Sequence, residues 1–242
     1  MQTNLVKFAT LSILGFLTEI NLNAQPQASI YADLGQSVVY DGMIVTNAGL
    51  LNYQIGKYKP EMGLQFEIRN AGNYFLSGYA FKLQRDFMIG NFPFELQSFC
   101  VATLTSSLLR EINWGIISKI EHKHIKIWIG TNFRTFAYTR KTIRDFDIRS
   151  NTKIHEIWNL IYLFSFYLKP LSHQWNVSIS LTDLDYFTIE RETNPILSLQ
   201  TIFRINSRLK VFVETRYKSN VPFNLNMNYY GFALRTGIIF NI

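Results

Sequence analysis

The 242-residue chain has a single cysteine, Cys100, so no intramolecular disulfide is possible. Long apolar runs are also missing: a membrane-spanning helix needs about 18 consecutive apolar residues, and no stretch beyond the first 24 residues is that long. The net charge is +7, but the Lys and Arg residues are scattered singly through apolar stretches. Scattered charge is typical of a solvated face, not of a nucleic-acid-binding arm. These absences exclude a disulfide scaffold and a helical membrane protein, and they argue against nucleic acid as a partner.

Motifs that carry chemistry are scarce. GxSxG, CxxC pairs, Gly-rich phosphate loops and EF-hand spacing do not occur. His122 and His124 are spaced to share one strand face, but they fall in a predicted turn and lack a third ligand. His155 has no identifiable serine partner, so an enzyme, including an outer-membrane lipid hydrolase, is the disfavoured alternative. We therefore predict no catalytic residues, no metal site and no cofactor.

The first 24 residues have the organisation of an export signal. Lys7 provides a weakly positive start, FATLSILGFL forms an apolar core from Phe8, and LNA precedes a plausible cleavage site before Gln25. Cys100 is far from this site, so no lipoprotein anchor is expected at the new N-terminus. We predict a signal peptide at 1–24 and one domain at 25–242, because no linker or composition break interrupts the remainder.

Segments of about ten residues with alternating polarity repeat along this domain. MGLQFEIRN from Met62, WNVSISLT from Trp175 and RLKVFVETRY from Arg208 all have apolar residues at every second position. The pattern predicts twelve strands, with ten as the alternative count. The predicted strands are 28–38, 45–57, 61–70, 73–86, 93–105, 112–122, 124–138, 155–169, 174–183, 196–206, 208–218 and 228–242.

The connections between these strands alternate in length in the second half of the chain. Three long polar ones begin at Arg140, Asp183 and Ser219, and the connections between them are short. Such alternation is typical of membrane barrels, which have short turns at one rim and longer loops at the other. The connection DLDYFTIERETNP from Asp183 is expected to be a solvated external loop. Its carboxylates could bind Ca²⁺, but EF-hand spacing is absent.

The last segment, NYYGFALRTGIIFNI, places Phe232, Leu234, Ile238 and Phe240 on one face. It resembles the terminal strand of the Gram-negative outer-membrane β-barrels as a class, which typically ends the chain with alternating apolar residues and an aromatic near the end. The aromatic here stands two positions before Ile242, which departs from that pattern. The resemblance implies an outer-membrane location, outer-membrane lipid as a partner and a barrel-assembly machinery during biogenesis.

Strand length separates a membrane barrel from a soluble one. Several predicted strands have eleven to fifteen residues, whereas strands of soluble proteins usually have about five or six. Tryptophans at 114, 158 and 175 fall near strand ends, where interfacial aromatic girdles lie. The most apolar segment, HEIWNLIYLFSFYLKP from His155, is too short for a spanning helix but fits one tilted strand. We predict an all-β, closed antiparallel transmembrane barrel.

With the apolar faces directed to lipid, the polar faces line the lumen. The candidate lumen residues are Glu67, Arg69, Lys82, Glu95, Lys119, Glu121, Lys126, Arg134, Arg204, Lys210, Glu214, Arg216 and Arg235. Basic residues dominate this set, so a net-positive lumen is expected, which would favour anions in a narrow porin-like channel. The alternative is an envelope structural barrel packed shut by ion pairs, favoured by the lack of an evident small-residue lining. Such a barrel would not conduct and would bind an envelope protein through its external loops.

Overall fold

The structure is a computed structural model that describes residues 26–36, 43–68, 75–90, 92–104, 109–148, 153–170, 173–187, 195–218 and 230–242. The predicted signal peptide at 1–24 lies outside the described residues, so the division of the chain at Gln25 stays a prediction. Arg69, one of the candidate lumen residues, also lies outside them.

Twelve antiparallel strands form one closed barrel. Each strand pairs with its neighbours in sequence, and β1 pairs with β12 to close the sheet, so the predicted all-β fold and its twelve strands are confirmed. The strands are β1 (Pro26–Gln36), β2 (Met43–Tyr53), β3 (Tyr58–Glu67), β4 (Leu76–Ile89), β5 (Phe92–Leu104), β6 (Leu109–His122), β7 (Ile125–Tyr138), β8 (Lys153–Tyr167), β9 (Trp175–Thr182), β10 (Ile196–Arg204), β11 (Leu209–Lys218) and β12 (Tyr230–Asn241).

The connections divide the barrel into two different ends. At one end, β2–β3, β4–β5, β6–β7, β8–β9 and β10–β11 are joined by short connections, and we call this the turn end. The opposite end, which we call the loop end, has the long connections 139–152, 183–195 and 219–229. The chain starts β1 and finishes β12 at the turn end, where the backbone N–H of Ile242 donates to the carbonyl of Pro26 (2.8 Å).

Side chains alternate between the two surfaces of the barrel wall. In β11, Phe212 and Arg216 are 4% and 3% exposed, whereas Val213 and Tyr217 are 49% and 43% exposed. The outward set is apolar in most strands, and the inward set carries the charged and amide residues. This inversion of a soluble protein's pattern is what a wall facing lipid requires, because hydrocarbon solvates apolar side chains and not charges.

A bulge in β8 changes the direction of one charged side chain. The pairing of β7 with β8 slips between Asn132 and Arg134, and Trp158 adopts a positive φ of 60°. Trp158 points outward and is 79% exposed, whereas Glu156 lies opposite Arg134 on the inner side. Strict alternation would put Glu156 and Trp158 on the same face, so the bulge keeps a carboxylate out of the lipid.

The loop end also contains a short helix that the sequence pattern did not predict. Helix α1 (Arg140–Asp145) follows β7, and the hydroxyl oxygen of Thr139 accepts a hydrogen bond from the backbone N–H of Thr142 (3.2 Å), which caps its first turn. No helix among the described residues is long and apolar enough to cross a membrane.

Candidate functional site in the barrel lumen

The described candidate residues face the barrel interior. Lys119, Arg134, Arg216 and Arg235 are each at most 5% exposed. Lys82, Glu95, Glu121, Lys126 and Glu214 line an interior cavity. Glu67, Arg204 and Lys210 are partly buried; Arg204 and Lys210 are cross-strand neighbours at the turn end, and Glu67 lies near the loop end.

The structure places more carboxylates inside the barrel than the sequence predicted. Asp33, Glu61, Glu111, Asp183 and Asp185 are all inside the barrel and pair with the interior bases or with backbone N–H groups. Asp33, Glu61 and Glu111 stand at inward positions of their strands, so alternation alone could have found them. Asp183 and Asp185 follow the last residue of β9, where alternation no longer applies.

A buried polar cluster lies near the loop end between β6, β7 and β8. Arg134 is 1% exposed, and its Nε is 3.0 Å from an oxygen of Glu111, which is fully buried. Its Nη1 is 3.4 Å from Glu156. Asn113 donates to Glu111 (2.6 Å) and accepts from Asn132 (2.6 Å). This arrangement provides hydrogen-bond and ion-pair partners for the buried guanidinium, and its side chains fill this side of the lumen.

The segment Asp183–Phe187 folds into the lumen, and the prediction of a solvated external loop there is wrong for these residues. Asp183 is fully buried, and its Oδ1 accepts a hydrogen bond from the backbone N–H of Tyr162 (2.8 Å). The hydroxyl of Thr182 donates to the carbonyl of Tyr162 (2.8 Å) and accepts from the N–H of Leu184 (2.9 Å). These bonds turn the chain inward at the end of β9. We call residues 183–187 the inserted segment.

Phe187 anchors the inserted segment to the opposite wall. Its ring is 1% exposed and lies over Gly63 and Gly78, where an added Cβ would come within 3.0 and 3.3 Å of it. Its carbonyl accepts a hydrogen bond from the hydroxyl of Thr103. β3, β4 and β5 face β9 across the barrel, so the inserted segment crosses the lumen. Small residues line the wall here, contrary to the expectation from the sequence.

Asp185 fixes the middle of the inserted segment by two ion pairs. One carboxylate oxygen is 2.9 Å from Arg216 and the other is 2.9 Å from Arg235. Arg235 also makes bonds of 2.6 and 2.8 Å to Asp33 on β1. The side chain of Asp185 is only 10% exposed. The segment is therefore held to β11 and β12 by groups that are paired and largely shielded from water.

Tyr186 adds aromatic contacts on the same side of the lumen. Its ring centroid is 5.3 Å from that of Tyr31. The Arg235 guanidinium lies 4.3 Å from the ring centroid of Tyr31 and 5.0 Å from that of Tyr186, and the ammonium of Lys82 lies 5.2 Å from that of Tyr186. These are cation–π distances, so the inserted tyrosine contacts bases from two walls.

A polar cavity of about 350 Å³ extends from the inserted segment toward the turn end. Leu184, Asp185 and Tyr186 bound it on one side. Its walls carry serines from β8, β9 and β10, glutamines from β4, β5 and β10, and lysine–glutamate pairs from β3 to β7. Water and small polar molecules fit such a lining, because its serines, glutamines and charged residues can exchange hydrogen bonds with them, although Phe99, Val101, Ile117 and Leu163 also contribute to the wall.

The described histidines contact groups other than serine hydroxyls or metal ligands. His155 Nδ1 is 3.1 Å from the hydroxyl of Thr135, and its ring stacks on Phe133. His124 Nδ1 is 2.9 Å from the carbonyl of Tyr167. Within the described ranges, no three His, Cys, Asp or Glu residues are grouped so as to hold a metal ion.

No protein-family model matches the chain, and no curated protein matches its sequence. Solved structures do resemble it. An outer-membrane channel from Pseudomonas putida F1 matches with a TM-score of 0.57 at 6% identity, over 90% of this chain and 96% of that one. The chain has the fold of the outer-membrane β-barrel channels.

Two porins have the same fold. The KdgM porin matches with a TM-score of 0.54 at 6% identity, over 89% of this chain and 99% of that chain. The NanC porin matches with a TM-score of 0.53 at 8% identity, over 89% and 100% of the two chains. At such identities the likeness concerns the outer-membrane barrel fold and not the residues of the lumen.

Proposed function

We propose that this protein is a narrow outer-membrane channel for small polar solutes, with the inserted segment as its constriction. The observation that carries the proposal is the position of residues 183–187, which cross the lumen but leave a polar cavity of about 350 Å³ beside them. A twelve-strand barrel is intermediate between about eight strands, which side chains can fill, and about sixteen, which leave a wide channel.

A lipid location is supported by the outer surface of the barrel. Exposed apolar side chains cover it in every region of the wall, among them Phe81, Ile116, Phe164, Leu199 and Val213. The fold of the P. putida channel and of the two porins also favours the outer membrane. Outer-membrane lipid is therefore the proposed surrounding, and a barrel-assembly machinery remains the proposed partner during biogenesis.

The net-positive lumen stays a prediction. The interior carboxylates that the sequence set did not include, Asp33, Glu61, Glu111, Asp183 and Asp185, offset its positive charge, and the interior ion pairs further reduce the selectivity expected from it. Lys82, Lys119 and Lys126 each have a carboxylate oxygen within 2.8 Å. A paired base attracts a passing anion less than a free one, because the partner carboxylate repels the anion. We therefore propose a weak preference for anions instead of a strong one.

The alternative is a structural or partner-binding barrel that does not conduct. The buried cluster around Arg134 and an apolar layer that includes Phe99, Val101, Ile117 and Ile161 favour it, because both fill the lumen on the side of β5 to β8. Its partner would be an envelope protein bound through the loop end. The lipid-hydrolase alternative draws no support from the described histidine contacts.

Electrical recording in planar bilayers separates the channel from the non-conducting barrel. The protein is first checked for heat-modifiable gel migration, which reports a folded barrel. A channel of this kind is expected to give small, discrete conductance steps and a reversal potential in a KCl gradient that is shifted slightly toward chloride. Absence of conductance from folded, inserted protein would reject the channel and leave the partner-binding barrel.

A further inference from the structure

We infer that the polar cavity between the inserted segment and the turn end binds a small uncharged polyhydroxylated solute, of the size of a monosaccharide. The inference deepens the proposed channel function and rests on it for the solute's route through the membrane. It is carried by three features of the cavity: a row of hydroxyls on one wall, paired charges on the other and a volume near that of one small molecule.

Three serines form a cross-strand row on the wall made by β8, β9 and β10. Ser165 pairs directly with Ser180, and Ser180 pairs with Ser198. The hydroxyl oxygens of Ser165 and Ser180 are 2.7 Å apart. Ser178 and Gln200 form the next pair toward the turn end. Each hydroxyl both donates and accepts hydrogen bonds, so the row complements the adjacent hydroxyls of a polyol.

The opposite wall contains charges that are already compensated. Lys82 lies 2.7 Å from Glu61, and Lys119 lies 2.7 Å from Glu95. A charged solute would have to lose its hydration and then compete with one member of each pair. An uncharged hydroxyl can accept from the lysine and donate to the carboxylate without upsetting the balance. The wall therefore favours neutral, hydroxyl-rich solutes over ions.

The size of the cavity limits the solute. Its volume of about 350 Å³ is bounded by Leu184, Asp185 and Tyr186 of the inserted segment. Small-molecule sites occupy about 300–1,000 Å³, so this one is near the lower limit. With the inserted segment in place, this volume accommodates a monosaccharide.

Trp128 provides a direct reporter of binding. It lines the cavity, with the ammonium groups of Lys119 and Lys126 at 4.3 and 4.7 Å from its ring. The chain has four tryptophans. The others, Trp114, Trp158 and Trp175, are 57%, 79% and 43% exposed on the outer surface. Fluorescence changes caused by a solute in the lumen are therefore expected to come from Trp128, which Trp128→Phe tests.

The test is a fluorescence titration of the folded full-length protein in detergent with glucose. We expect a saturable change that disappears in Trp128→Phe. The double variant Ser180→Ala/Ser198→Ala is expected to weaken binding about fivefold or more, because it removes two hydroxyls from the row. Ser98→Ala is the matched control, since Ser98 is an exposed serine on the outer surface.

Glucuronate, which adds one carboxylate to the same ring, tests the preference for a neutral solute. Weaker binding of glucuronate than of glucose supports the inference, and equal or tighter binding overturns it. A titration without saturation, or one that the serine variants leave unchanged, also overturns it. Bilayer recording on the same preparation tests the channel separately: conductance without glucose binding rejects only the solute, and glucose binding without conductance rejects only the channel.

Discussion

Replacing Asp185 by asparagine is expected to release the inserted segment from the barrel wall. The carboxylate pairs with Arg216 and Arg235 at 2.9 Å each, and its side chain is only 10% exposed. Removing one partner of a buried ion pair costs about 3–5 kcal/mol. Arg235 keeps its bonds to Asp33, so we take the lower value of about 3 kcal/mol. That free energy shifts the balance between inserted and withdrawn segment by roughly a hundredfold.

Single-channel recording measures this shift directly. Withdrawal of the segment removes the constriction, so Asp185→Asn is expected to show larger conductance steps or a higher open fraction than the unmodified protein. Asp145→Asn removes the same charge from the loop-end helix α1 and serves as the control, because the side chain of Asp145 is 40% exposed and pairs with the neighbouring Arg144. Heat-modifiable migration verifies that each variant is folded. If Asp185→Asn and Asp145→Asn both conduct like the unmodified protein, residues 183–187 are not the constriction.

Three further predictions concern the wall and the buried cluster. Gly78→Val places a branched side chain where a Cβ already comes within 3.3 Å of the Phe187 ring, so the ring is expected to be displaced. Bilayer recording should then show enlarged conductance, and an unchanged step size would mean that Phe187 keeps its position. Glu111→Gln leaves Arg134 without its nearest carboxylate, so urea unfolding in lipid vesicles should show the free energy of unfolding lowered by about 3 kcal/mol. A decrease of less than about 1 kcal/mol would contradict a tightly coupled pair. Leu199 faces lipid, so Leu199→Arg should lower the free energy of unfolding by about 2–4 kcal/mol in the same assay. Gln200 faces the lumen, so Gln200→Arg should lower it little. Equal decreases would refute the assignment of the two faces.

Strand positions could be predicted because lipid outside the barrel and the polar lumen inside it impose an alternation of apolar and polar residues. Each strand contacts hydrocarbon on one side and the polar lumen on the other, so polarity alternates residue by residue. In HEIWNLIYLFSFYLKP, this rule assigns Leu160 and Phe164 to lipid and Ile161 and Ser165 to the interior, and their exposures agree. The predicted strand boundaries consequently lie within a few residues of those in the structure.

The rule fails where the backbone departs from regular pairing. Alternation from Trp158 would direct Glu156 to lipid, but the bulge in β8 turns it toward Arg134. A bulge inserts one residue and leaves no mark in a polarity pattern. The pairing partner that makes the inward position favourable is more than twenty residues away along the chain, so only the folded barrel shows it.

The sequence by itself determined that the chain forms a barrel of twelve strands with an apolar outside and a charged inside, because those properties follow from local alternation and strand length. The tertiary structure alone decided what the inside contains. Residues 183–187 read as a polar loop, yet the small side chains at Gly63 and Gly78 leave room for Phe187, and two arginines on distant strands hold Asp185. Those groups lie far apart along the chain and come into contact only when the barrel closes, so no sequence spacing predicts their contacts.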